Sequence, residues 1–171
     1  MPPGRRAFVG VLLCLLATLL SCRMEEPDEG SPGEGTVAER ERVVGAAREV
    51  VTALSELAEV SDFAGKWTVC GSPPADAVEY AASGKLASGG DQSAAIDAAT
   101  DALVGSGWTV TKEGTDPYRW VNLERDGMTA SLRPDALRGS NAVAWAVAGD
   151  CLPVSEEQAN QMDFQQEPLD P

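Results

Sequence analysis

The stretch YRWVNLERDGMTASL, residues 118–132, contains the clearest strand and turn pattern of this chain. Apolar and polar residues alternate on both sides of Asp126-Gly127, which is the pattern of a strand with one buried face. Asp-Gly between two such runs is typical of a two-residue hairpin turn. The stretch therefore predicts two antiparallel strands, over 118–124 and 128–132.

Other segments extend this hairpin into a larger sheet covered by helices. Apolar residues three and four positions apart predict two helices, one opening with a capping box at Thr36-Val37-Ala38-Glu39 and one over 93–104. Alternation predicts four further strands, over 67–70, 78–86, 108–111 and 141–149. The alanines of 78–86 would also suit a short helix. This order predicts an α+β fold, with two helices packed on one face of an antiparallel sheet of about five strands.

One face of the predicted sheet is left without helices and offers a candidate binding surface. If Val121 and Leu123 face the core, Tyr118 and Trp120 lie on the opposite, open face. An exposed aromatic pair can bind a glycan, a lipid or a protein partner. The alternative is that a loop or the C-terminal tail covers Trp120. The three other tryptophans, Trp67, Trp108 and Trp145, are expected in the core.

The composition excludes several classes of function. The chain has 171 residues, with 13 Lys and Arg, 27 Asp and Glu and no histidine, and its net charge is −14. This length suits one domain, and the acidic excess argues against nucleic-acid binding. The absence of histidine removes every histidine-based catalytic or metal site. No nucleophile, phosphate-loop or calcium-loop motif is present. We therefore expect no catalytic residue, no cofactor, no metal site and no enzymatic activity.

The N-terminus has the features of an export signal. Arg5-Arg6 precede an apolar run over 7–20, which is shorter than the roughly 20 residues needed to cross a membrane. The sequence Leu19-Leu20-Ser21-Cys22 resembles the lipobox of bacterial lipoproteins. This resemblance implies a signal peptide over 1–21 and a diacylglycerol on Cys22 that anchors the chain to the extracytoplasmic face of the cell membrane. The alternative is an ordinary secretory signal whose apolar run ends at a cysteine. Residues 5–9 also resemble a twin-arginine signal, so both this route and general secretion are open.

Two cysteines remain for the mature domain. On the lipobox resemblance, Cys14 leaves with the signal peptide and Cys22 carries the lipid, which leaves Cys70 and Cys151 in an oxidising compartment. We expect a structural disulfide between them. A redox pair or a metal site is the alternative, but Cys-x-x-Cys spacing and histidine are both lacking.

The acidic residues are concentrated outside the predicted domain. Residues 22–35 are rich in acids, glycine and proline and predict a flexible tether. Residues 152–171 contain five acids and no base and predict an acidic disordered tail. The single α+β domain is then 36–151, and the overall acidity is weak evidence for an acidic binding site.

The whole plan resembles small actinobacterial lipoproteins. The resemblance rests on the lipobox, Trp67, Cys70, Gly107-Trp108-Thr109-Val110 and Cys151. It implies a location at the cell surface and brings no active site with it. We expect a non-catalytic interaction domain for an envelope protein or glycan. The alternative is a carrier or sensor of a small apolar ligand held between helices and sheet, and a hydrolase comes third.

Overall fold

The computed structural model describes residues 33–70, 77–137, 140–162 and 164–171, which form helices and consecutive runs of strands. The expected signal peptide, Cys22 and most of the expected tether lie outside these residues. The elements are α1 (Glu34–Ser55), β1 (Val60–Cys70), β2 (Ala77–Ala87), α2 (Gln92–Gly105), β3 (Thr109–Gly114), β4 (Trp120–Arg125), β5 (Met128–Pro134), β6 (Ala142–Ala148), β7 (Leu152–Pro153), α3 (Glu156–Gln161) and β8 (Glu167–Pro168). None of the described helices is long and apolar enough to cross a membrane.

The strands form one antiparallel sheet of the α+β class, as predicted. Its order is β3-β4-β5-β6-β2-β1-β8, and β7 pairs with β2 beside β6. The hairpin between β4 and β5 is confirmed, since Arg125 pairs with Met128. Asp126 (φ 51°) and Gly127 (φ 77°) both have left-handed backbone, as a type I′ turn requires.

Helices α1 and α2 cover one face of the sheet and enclose the core. Val121 and Leu123 are fully buried there, as predicted, together with Trp108 and Trp145, each 2% exposed. Strand β2 is confirmed as a strand, and its Tyr80 is fully buried in the same layer. Trp67 is only partly buried, at the margin of the core, where its ring lies 5.1 Å from that of Tyr80.

The expectations of about five strands and two helices are wrong, because the described residues form eight strands and three helices. Strand β1 begins at Val60, seven residues earlier than expected. A register shift between Ser61 and Ala64 interrupts its pairing, and Asp62 has a positive φ of 56°. Such an irregularity disrupts the alternation on which strand prediction depends.

The tail predicted as disordered is folded over the residues that the structure describes. Residues 152–171, here called the C-terminal segment, contribute β7, α3 and β8. Ser155 and Gln158 form a capping box at the start of α3, which is a signal that the sequence contains. The two short strands each pair only two residues, so tertiary contacts rather than strand pattern determine their position.

The start of α1 also differs from the expectation. The helix begins at Glu34, so the last two residues of the expected tether, Glu34 and Gly35, are helical. Its N-cap is Gly33, which makes no side-chain cap bond, and the hydroxyl of Thr36 donates to the Gly33 carbonyl at 2.8 Å. The capping box predicted at Thr36 is therefore wrong, because Glu39 bonds elsewhere.

Candidate functional site

The sheet face opposite α1 and α2, here called the open face, is built mainly from small residues. Strand register places Asn122, Ser131, Ala146 and Ser83 in one row across β4, β5, β6 and β2. All four are partly exposed. The alanines of β6 point to this face because Val143, Trp145 and Val147 point to the core. The open face is thus flat at its centre.

The two aromatic residues proposed from the sequence occupy different positions. Trp120 begins β4 and lies on the open face, where its indole packs over Gly114: a Cβ at Gly114 would come within 2.6 Å of the indole nitrogen. Tyr118 precedes the strand and is 49% exposed. The structure therefore places Trp120 on the sheet and Tyr118 in the preceding connection, instead of both on one strand.

A groove of about 670 Å³ runs along the open face beside β1 and β8. Small residues of β2 and β6, including Ser83, Ala144 and Ala146, line it together with Gln166 and Pro168 of the C-terminal segment. This groove was not predicted, because it depends on the C-terminal segment lying along β1.

Two cations border the groove and differ in their partners. The Lys85 ammonium lies 2.9 Å from the Asp62 carboxylate and 3.6 Å from that of Asp135. The bond to Asp62 raises the pKa of Lys85. Arg133 is exposed and makes no hydrogen bond or ion pair within the described residues. The groove therefore has one neutralised cation and one whose charge is unpaired.

A carboxylate of β8 holds the C-terminal segment against the helix side of the sheet. Arg40 of α1 donates to both oxygens of Glu167 at 2.8 and 2.9 Å, and the buried Tyr80 hydroxyl also donates to Glu167. The bonds from Arg40 lower the pKa of Glu167, whereas burial raises that of Tyr80. Because neighbouring strand residues face opposite ways, this anchor directs Gln166 and Pro168 towards the groove.

A second carboxylate, Glu39, is the most buried acid of the described residues. Burial by itself would raise its pKa, but the hydrogen bonds from Arg42 and from the Asp150 backbone lower it. The distances are 2.7 and 2.9 Å to Arg42 and 2.6 Å to the Asp150 amide. Arg42 also donates to the Asp126 carbonyl. Glu39 thus accepts three hydrogen bonds and ties α1 to two loops, as a structural carboxylate does.

The predicted disulfide joins the end of β1 to the residue before β7. The Cys70 and Cys151 sulfurs are bonded, with their Cα atoms 6.0 Å apart. Since β7 pairs with β2 at Ala77 and Val78, the bond fixes the beginning of the C-terminal segment. Within the described ranges, no group of three or more acidic, cysteine or histidine side chains could hold a metal ion.

The fold and this face define a small antiparallel α+β domain with one helix-covered and one open sheet face. Residues 36–167 match the family model described as "Putative lipoprotein LppJ". Since this is more than half of the chain, the protein belongs to this lipoprotein family. No curated protein and no solved structure matches the chain.

Proposed function

We propose that the protein is a lipid-anchored, extracytoplasmic lipoprotein whose domain binds a component of the cell envelope through the open face of its sheet. Membership of a lipoprotein family supports the anchor. The lipobox-like sequence ending at Cys22 supports the site of lipidation, with cleavage after Ser21. A diacylglycerol supplies two acyl chains, which is enough for durable attachment.

The observation that carries the binding function is the open face itself. Helices α1 and α2 pack on the other side, and the central residues Ser83, Ser131 and Ala146 remain partly exposed. The groove beside them is bounded by an unpaired cation, Arg133. A tethered domain with such a concave, mixed polar surface suits non-covalent recognition. We assign no reaction to this face.

A carrier of a small apolar ligand between helices and sheet is the less well supported alternative. Side chains of both layers meet there and are fully buried, including Val43, Leu54, Ile96 and Leu132. A depression of about 530 Å³ opens between α1 and α2, but the acids Glu49 and Glu56 are among its lining residues. Such a lining does not suit an apolar ligand.

The anchor is tested by Cys22→Ala in the native host. We expect the variant to leave the membrane fraction, because it loses both acyl chains. Cys14→Ala is the matched control, since Cys14 lies within the expected signal peptide and should leave the distribution unchanged. Membrane association of Cys22→Ala equal to that of the wild type would show that the anchor is not there.

The binding face is tested by photo-crosslinking at the surface of living cells. A photoreactive amino acid at Ser131 lies at the centre of the open face, and one at Glu41 lies on the exposed side of α1. We expect a discrete crosslinked product from Ser131 and none from Glu41. Equal products from both positions, or none from Ser131, would contradict binding through the open face.

A further inference from the structure

An unpaired arginine distinguishes one end of the open face from the other parts of the chain that the structure describes. Every other arginine in the described ranges donates to an acid or to a carbonyl oxygen, namely Arg40, Arg42, Arg48, Arg119 and Arg125. Arg133 does neither and is exposed. An unpaired guanidinium on a chain of net charge −14 is a local exception that favours an anionic partner.

The surroundings of Arg133 combine an aromatic ring, a flat floor and a groove. The pairing of Val121 with Leu132, continued by one residue, places Trp120 opposite Arg133. On the other side Arg133 pairs with Ala144, which lines the groove together with Arg133. An extended ligand could therefore lie across Trp120 and Arg133 and continue over the alanines.

We propose that this end of the open face binds an anionic polysaccharide, with a carboxylate or phosphate group on Arg133 and a sugar ring against Trp120. This inference rests on the proposed function and narrows the class of its partner. A guanidinium recognises carboxylate and phosphate in a bidentate geometry. An indole has a broad apolar surface with a single polar group at its edge, which matches the apolar side of a pyranose ring. Small side chains at 144 and 146 allow a flat chain to approach the strands closely.

The charge distribution favours a polysaccharide over an anionic lipid surface. The open face also carries two acids. Glu79 lies there because it shares the side of β2 that Ala81 and Ser83 occupy. Glu124 lies there because it pairs with Thr129, which points away from the core. A continuous anionic membrane would be repelled by these acids, whereas a chain with separated charges can place one group on Arg133. The alanine floor likewise offers little apolar surface to insert among lipids.

The test compares two forms of one sugar chain. A hyaluronan decasaccharide carries a carboxylate on every second ring, so its charges are separated, and its methyl ester has the same rings without charge. Binding of each to the full-length protein, purified in detergent, is measured by isothermal titration calorimetry. We expect the acid form to bind, the ester to bind at least tenfold more weakly, and added salt to weaken binding of the acid form.

Variants locate the site. Arg133→Gln should weaken binding of the acid form by about 10- to 100-fold, since it removes a bidentate charged contact. Trp120→Phe should weaken binding of both forms several-fold by reducing the aromatic surface. Arg48→Gln is the matched control, because it removes the same charge from α1, and it should bind as the wild type does. Circular dichroism checks that each variant is folded.

Four outcomes would overturn the inference. These are equal binding of acid and ester, no binding of either, an Arg133→Gln variant that binds as tightly as the wild type, and binding to phosphatidylglycerol vesicles in place of the sugar. Crosslinking from Ser131 shows whether only the polysaccharide inference has failed or the proposed function as well. A crosslinked product without sugar binding leaves the open face as a binding surface for another class of partner.

Discussion

The carboxylate of Glu167 is expected to determine whether the C-terminal segment stays folded on the domain. In Glu167→Ala, the buried Tyr80 hydroxyl loses its acceptor, which costs about 1–3 kcal/mol. The ion pair with Arg40 is lost as well, but its side chains are 38% and 41% exposed, so solvent limits this contribution to under about 1 kcal/mol. We therefore expect a decrease of about 1–4 kcal/mol in the free energy of unfolding.

Two further variants separate the hydroxyl from the charge. Tyr80→Phe removes the donor without leaving an unsatisfied group and should cost about 1 kcal/mol. In the Tyr80→Phe background, Glu167→Ala should then cost under about 1 kcal/mol, because no buried hydroxyl is left without an acceptor. Glu167→Gln keeps an oxygen for Tyr80 and should cost about 1 kcal/mol. The reasoning fails if Glu167→Ala costs the same in both backgrounds.

Urea unfolding, followed by tryptophan fluorescence on the oxidised protein, measures these differences. Hydrogen exchange of the Leu169 amide, which donates to the Phe63 carbonyl at 3.0 Å, reports on the C-terminal segment alone and should accelerate in Glu167→Ala. Since the pKa of Glu167 is lowered in the folded state, its contribution is complete above the unfolded pKa. This contribution is lost as the pH falls through the folded pKa. The difference in the free energy of unfolding between the wild type and Glu167→Gln should therefore become smaller below about pH 4.

Two other predictions concern stability. Gly149→Ala places a Cβ in collision with the Glu39 carboxylate and should destabilise the domain by about 1–3 kcal/mol. Gly45→Ala lies in α1, where no atom is within 4 Å of the new Cβ. This variant should stabilise the domain by about 0.5–1 kcal/mol. Urea unfolding of both variants gives the comparison, and equal effects would contradict it. Replacing Cys70 and Cys151 by serine opens a loop of sequence separation 81 and should cost about 4.5 kcal/mol by chain entropy; a loss below about 1 kcal/mol would show that the disulfide contributes little.

The open face shows which features the sequence patterns predict and which they do not. The alternation of 118–132 correctly assigned Val121 and Leu123 to the core and Trp120 to the other side. It did not place Tyr118, because the strand begins only at Trp120. No sequence pattern predicts that Arg133 is unpaired. This depends on the fold, which brings Asp62 and Asp135 close to Lys85 and pairs both of them with its ammonium group.

The C-terminal segment is a second feature that sequence patterns did not predict. Its composition is polar and acidic, and such sequences cannot bury enough apolar surface to fold by themselves. It folds because Glu167 meets donors from Arg40 and Tyr80, more than eighty residues away in the chain. Leu169 also packs on the core. No local pattern predicts such long-range partners.

Local patterns in the chain were enough to predict the α+β class, the hairpin at Asp126-Gly127, the helix-covered face and the pairing of Cys70 with Cys151. These features follow from local alternation, turn chemistry and a count of cysteines. The full extent of the sheet, the groove and the position of the C-terminal segment could be seen only in the folded protein. The register shift of β1 disrupts the alternation that would have shown its full length. Contacts between residues far apart in the chain, such as Arg40 with Glu167, fix the C-terminal segment and with it the groove, and such contacts have no period along the chain.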